Sequence, residues 1–415
     1  LQKSFQKDKK NYYTQIIMEK LLDMFSKENR KKTAEVLVYL AITLELFFMV
    51  LEKSEVSIPF ISHVFRVTFL LTFAAVLLME HNKKEWIAIA LVTVFTFVCY
   101  RITGRNELLR FSYYVFALRD IDLKKIMKYY FYFSAIGFAV IVLLSVTGIL
   151  GDVAIITDYG REIEDEKRYV FGFGHPNTLA GCVYALELLW IWLYGKKAKL
   201  YQYVIAFAAI WGTYKLTSSR TSLMIFMGTL AIAFIVRYIP VLGKLRFPYI
   251  LTALVTPVAA VAFSVWAAAV SEIPRFHMDT DYQIKLTRFD DMLNNRIQNL
   301  YRGSERHGGA LISWKPFSDK LSEEMFDMGW VRIFYWYGII PGALIVILTF
   351  VFIYLCLKRR DAWTLILILS LGVYTVIEAT FVSRYIGRNM LLPILAVYLG
   401  DFVLHRGERN DSEQN

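Results

Sequence analysis

Arg220 sits in the run Ser218-Ser219-Arg220-Thr221-Ser222, where two apolar stretches meet. A guanidinium among hydroxyls can hold a phosphate through two parallel hydrogen bonds. The plainer alternative is an arginine stretching from hydrocarbon to interface. A second arrangement lies upstream. Arg161, Arg168 and Tyr169 lead into Phe171-Gly172-Phe173-Gly174, and His175-Pro176-Asn177 then open an apolar helix. Glycines permit close backbone approach, and proline suits a first helical turn. The free N–H groups of a helix start attract an anion, though His175 and Asn177 serving only as caps is the competing reading. A third group falls in residues 271–328. There Arg296 belongs to a stretch with the spacing of a surface helix, with Met292, Ile297 and Leu300 on one side. Asp327 falls at the mouth of the next apolar stretch. A carboxylate in that place can cap the helix or take a proton from an attacking hydroxyl. The chemistry these residue types share is the grip of an anion with general-base help.

Asp279-Thr280-Asp281, two residues after His277, has the form of a metal-holding acidic pair. Nothing nearby completes a ligand set, and solvated loop residues are expected. Zinc spacing, a phosphate loop, a serine-nucleophile elbow and a dinucleotide fingerprint are all absent from the sequence. No metal and no cofactor is expected.

The elements that must position these residues are membrane helices. Of 415 residues 56% are hydrophobic and 16% aromatic, which places the chain in the polytopic membrane class. Spanning the hydrocarbon takes about 20 apolar residues. Twelve stretches qualify or come near: 33–51, 58–80, 86–103, 107–118, 129–150, 175–195, 200–216, 222–239, 248–270, 329–357, 362–383 and 389–404. The net charge of +11 does not imply nucleic acid, because the basic residues lie between apolar runs rather than on one soluble face. They read as topology signals. Residues 81–85, 119–128, 195–199, 237–246 and 358–360 are rich in Lys and Arg and are expected inside, with both termini. Residues 52–57, 151–174, 218–222, 271–328 and 384–389 are then outside, and Arg101–Asn106 is the one basic segment on the unexpected side. Cys99, Cys182 and Cys356 lie in apolar runs and read as buried hydrophobes. Glu45, Arg66, Glu187, Arg332 and Glu378 fall within apolar stretches, where charge needs a partner or water.

The expected organisation is a cytoplasmic N-terminal amphipathic segment (1–32), nine transmembrane helices (33–270), an extracytoplasmic loop (271–328), three further helices (329–404) and a cytoplasmic tail (405–415). The loop's Phe276, Tyr282, Phe289, Tyr301, Trp314 and Phe317 would suit stacking on sugar faces or packing of the loop itself.

The order of motifs is a His-Pro-Asn helix start (FGFGHPNTLAG), a Ser-Arg-Thr element after the next span, Leu-Asn-Asn-Arg-Ile in a large loop, and Asp-Met-Gly-Trp before a helix ending YGIIPG. It resembles the Wzy-type O-antigen and capsular polysaccharide polymerases, which are related to the O-antigen ligases. The likeness is clearest over residues 100–345. It implies an all-α polytopic membrane protein of about twelve helices with a GT-C-like fold and a large helical extracytoplasmic loop. The implied enzyme is a metal-independent glycosyltransferase of the bacterial plasma membrane, facing outside. Its donor and acceptor would be oligosaccharide repeat units on undecaprenyl diphosphate, with flippase and chain-length regulator proteins as further candidate partners. The resemblance gives Arg220 and Arg296 the leaving diphosphate and Asp327 the base role. It places His175 and Asn177 on diphosphate or sugar, with Arg161, Arg168 and Tyr169 as lesser contacts. The family's usual Asn after the acid is Met328 here. Transfer to a different acceptor, as in the ligases, and flipping of lipid-linked oligosaccharide are the rival functions.

Overall fold

The structure, a computed structural model, describes residues 26–157, 166–273, 279–302, 309–318, 326–379 and 386–404. The expected amphipathic segment up to Phe25, the tail from His405, and Arg161, Phe276 and His277 lie outside them.

Each of the twelve apolar stretches contains helix. Helices α1 (Lys27–Glu52), α2 (Ile61–Leu78), α3 (Lys83–Thr103), α4 (Glu107–Leu118) and α5 (Leu123–Val146) come first. Three of them, α1, α3 and α5, start where a polar side chain satisfies free N–H groups. Asn82 and Glu85 form a reciprocal cap on α3, and the Asp122 carboxylate accepts from the Lys125 N–H at 3.0 Å on α5. Then come α6 (Pro176–Tyr194), α7 (Leu200–Thr217), α8 (Arg220–Tyr238) and α9 (Phe247–Val270). Pro257 lies within α9, where residues Leu254–Ala260 widen into a π-turn, because proline has no N–H to donate.

Among the described residues eight helices are long and apolar enough to cross a membrane. Their outer surfaces carry large apolar side chains open to the surroundings, such as Leu70, Leu91, Ile136, Leu143 and Met224. A water-soluble protein does not expose such a belt. The chain is an all-α polytopic membrane protein.

Three details depart from the sequence expectation. Residues 329–357 are not one helix but two, α12 (Gly329–Tyr337) and α13 (Ile339–Arg359), broken at Gly338 with φ 102°. The helix expected over 362–383, α14 (Ala362–Tyr374), stops at Tyr374 and gives way to a turn. The 151–174 loop carries a small antiparallel hairpin, β1 (Ala154–Thr157) with β2 (Glu166–Tyr169). The last helix, α15 (Ile386–Leu404), completes the order.

The polar segments gather into two sets, as alternating spans require. In one set, Arg119 bonds His81, Glu85 and the Glu80 carbonyl, Arg237 donates to the Ala198 carbonyl at 3.1 Å, Arg359 pairs with Asp401, and Arg360 donates to the Lys244 carbonyl at 2.7 Å. This is the lysine-rich end. In the other, the Glu55 N–H donates to the Gly172 carbonyl, Ser145 donates to the Asp152 carbonyl, and residues 177, 219, 296, 327 and 378 meet. Arg105, from the basic segment on the unexpected side, belongs to this second end, where its guanidinium lies 4.0 Å from the Trp336 ring centre.

Candidate functional site

Arg296 is delivered by a helix break. Helix α10 (Asp281–Met292) ends in Leu293-Asn294-Asn295, and both asparagines take the left-handed conformation, φ 55° and 60°. Asparagine tolerates that region better than other non-glycine residues. The chain restarts as α11 (Arg296–Arg302), so the single surface helix expected here is two. Ile297 and Leu300 are buried, whereas Met292 is exposed and not on their side. The fully buried Asp290 carboxylate reaches across the break and accepts from the Ile297 N–H at 2.7 Å and the Gln298 N–H at 3.0 Å. Asp290→Ala leaves both donors unsatisfied, and a lost cap costs about 1 kcal/mol or more. We expect lower thermal stability and faster amide exchange over residues 296–302; unchanged exchange there would contradict this role for Asp290.

Asp327 is held by the residues after it. The Gly329 N–H donates to the Thr375 carbonyl at 2.9 Å, and the buried Trp330 indole donates to the Gly372 carbonyl at 3.1 Å. A Cβ on Gly329 would come within 2.9 Å of Ala379 Cα. That close approach seats Asp327 beside Glu378, which lies just beyond the end of α14.

The centre is therefore a bridged pair of acids. One Arg296 Nη donates to Asp327, and the other donates to Glu378 at 2.6 Å. The Arg296 and Glu378 side chains are largely buried, at 14% and 18% exposure, and Asp327 is more open at 44%. Arg296 Nε has no hydrogen-bond partner among the described residues. Asn177 Nδ2 donates to the same Glu378 oxygen at 3.3 Å, and Ser219 donates to Asn177 Oδ1 at 2.7 Å. The ends of α6, α8, α11, α12 and α14 are thus joined through five side chains. Below them Ser222 and Tyr374 are bonded at 2.8 Å, and Tyr184 stacks on Phe226 with ring centres 4.7 Å apart. This packing fixes the helices that carry the site.

His175 caps α6, its Nδ1 accepting from the Asn177 N–H at 3.1 Å, which requires a neutral ring with the proton on Nε2. The ring is partly open to solvent, yet the protein packed around it disfavours the charged form, and Arg168 and Arg296 repel it further, so its pKa lies below the usual value. The sign follows from linkage: with the folded pKa depressed, the stability this neutral cap contributes is fully present above about pH 6.5, the ordinary value, and is lost as pH falls from there through the lower folded value. His175→Asn, which caps without titrating, should remove this component of acid sensitivity in thermal unfolding. An identical pH profile for both proteins would contradict it.

Arg220 is the first residue of α8, directly after Ser219. Its side chain is exposed and forms no ion pair among the described residues. Arg168 is buried, and its guanidinium is engaged twice by Glu166, at 2.5 and 3.0 Å. Tyr169 stacks on Phe171 at 5.5 Å, in the turn where Phe171, Gly172 and Gly174 all have positive φ. Of the loop aromatics, Trp314 stacks on Phe334 and Phe289 packs on Phe263 and Trp266, whereas Tyr282 is exposed. Asp281 pairs with Lys285 at 2.6 Å and Thr280 caps α10. Among the described residues no three His, Cys, Asp or Glu side chains gather to hold a metal ion.

Sequence reasoning did not assign Glu378, Ser219 or Asp290 to the site. Arg332, buried, donates to the Phe326 carbonyl and lies 5.0 Å from the Trp336 ring that Arg105 also faces. The signal that existed for Glu378 and Arg332 was their charge inside apolar stretches.

Fold and site together define a polytopic α-helical membrane protein with a guanidinium–carboxylate centre at one end of its helices. Comparison with family models, with curated proteins and with solved structures finds no match to this chain.

Proposed function

We propose that the chain is a polysaccharide polymerase. It joins oligosaccharide repeat units carried on undecaprenyl diphosphate at the outer face of a bacterial plasma membrane, on a GT-C-like framework of about twelve spans. The observation that carries the reading is Arg296, held between Asp327 and Glu378 at the helix ends that also present Asn177, Ser219 and Arg220. A hydroxyl of the acceptor repeat attacks the anomeric carbon of the donor sugar. The bond from that carbon to the diphosphate oxygen breaks, and the hydroxyl proton passes to Asp327. Charge grows on the departing diphosphate, and Arg296 with the exposed Arg220 stabilises it, an interaction stronger in the transition state than before it. His175 and Asn177 orient diphosphate or sugar, with Arg161, Arg168 and Tyr169 as lesser contacts.

Asp327→Asn tests the reading. It keeps the shape and removes the base, so polymerisation in cells should fall by about 10²–10⁴-fold, with single-repeat lipid accumulating outside. Normal polymer ladders would remove Asp327 from the mechanism. Repeats trapped on the cytoplasmic face would favour transport. Intact lipid-linked polymer that is never passed to a final acceptor would favour the ligase reaction.

A further inference from the structure

A buried acid outside this centre has chemistry of its own. Glu187 lies eleven residues beyond Pro176 on α6, about 17 Å along an ideal helix and so near its middle. Helix α6 is the most enclosed of the eight long helices, and Glu187 is 7% exposed. Both of its carboxyl oxygens are shut off from solvent and have no hydrogen-bond partner among the described residues. Glu187 forms no ion pair among the described residues. The titratable neighbour is Tyr184, one turn earlier, whose own surroundings include Tyr374. The Tyr184 hydroxyl is committed to Ser370 at 2.5 Å, and Ser370 to Thr229 at 2.5 Å. The nearby hydroxyls are thus satisfied among themselves.

An ionised carboxylate shut off from solvent, with no donor or ion-pair partner among the described residues, is far costlier than its neutral form. We propose that Glu187 is a proton-binding site inside the helix bundle, held as a neutral carboxylic acid and open to hydrophobic carbodiimides. The modification is an addition. The carboxyl proton moves to a carbodiimide nitrogen as the carboxyl oxygen bonds the central carbon. The acyl group then migrates from that oxygen to nitrogen, giving an N-acylurea with nothing expelled. The proposal does not depend on the polymerase reading.

The test uses the full chain in lipid bilayers, treated with dicyclohexylcarbodiimide or a water-soluble carbodiimide and mapped by peptide mass spectrometry. The hydrophobic reagent should add once at Glu187, the water-soluble reagent should not, and E187Q should lose the adduct. Infrared difference spectra should show one protonated-acid carbonyl band lost in E187Q, with its melting temperature unchanged because an amide replaces a neutral acid. Equal modification by both reagents would overturn the proposal. So would an unmodified Glu187 combined with no acid carbonyl band lost in E187Q.

Discussion

Arg296→Ala should lower polymerisation by about 10²–10³-fold, the usual cost of removing one preorganised donor at a developing anion, and should also destabilise the fold. The two losses share a cause. Arg296 is the bridge between Asp327 and Glu378. Without it, two carboxylates face each other with no guanidinium between them. Like charges that close do not both ionise, so one takes a proton, and Asp327 ceases to be a reliable proton acceptor. Breaking such a partly buried pair costs on the order of 3 kcal/mol. Arg296→Lys keeps the charge but loses the fork that reaches both acids, so it should restore only a fraction of either loss. Arg220→Ala provides the contrast. Arg220 is exposed and has no ion pair among the described residues, so turnover should drop while thermal unfolding stays put. Polymer length on lipid-linked glycan and melting in detergent read the two effects separately. Normal ladders in Arg296→Ala would end the proposed role, and an unchanged melting temperature would end the bridging role.

Gly338→Val should be the most damaging single change to the fold away from that centre. At φ 102° and ψ 169° the backbone is where a side chain is strongly disfavoured. The new Cβ would lie 2.5 Å from Phe317 Cα and 2.6 Å from the Pro316 carbonyl oxygen. These are backbone atoms and cannot swing aside. The break between α12 and α13 is also where the loop docks. The Ile339 and Ile340 N–H groups donate to the Lys315 and Pro316 carbonyls at 2.8 and 3.0 Å, and the Ser318 N–H donates to the Tyr337 carbonyl at 3.3 Å. Strain and the lost hydrogen bonds together amount to roughly 3–5 kcal/mol. Residues 309–318 should become protease-sensitive and the melting temperature should fall. Wild-type protease resistance in the variant would show that this docking does not matter.

Much of this architecture can be read in the chain by eye. Apolar runs mark the helices because hydrocarbon admits backbone only with its hydrogen bonds satisfied internally. Lysine and arginine clusters predict which connections share an end, and the hydrogen bonds of Arg119, Arg237, Arg359 and Arg360 gather those connections together. The helix breaks are harder. Residues 329–357 are apolar apart from Arg332, and hydropathy does not register a positive φ at Gly338. The Asn294-Asn295 turn is likewise hidden inside a stretch with helical spacing. The hairpin in 151–174 is four residues a side and has no strong alternation to announce it.

The residue types able to handle an anion, and their place at the ends of apolar runs, are determined by local sequence, because charge is expelled from hydrocarbon wherever it occurs. Which of them meet is another matter. Arg296 and Glu378 are 82 residues apart, and Asn177 and Glu378 are 201 apart. Their meeting depends on Gly329 letting two backbones touch, on Trp330 anchoring α12, and on Asp290 closing a break. Such contacts have no period along the chain, so only packing in three dimensions could select Glu378 as the second acid and leave Arg220 outside the bridge.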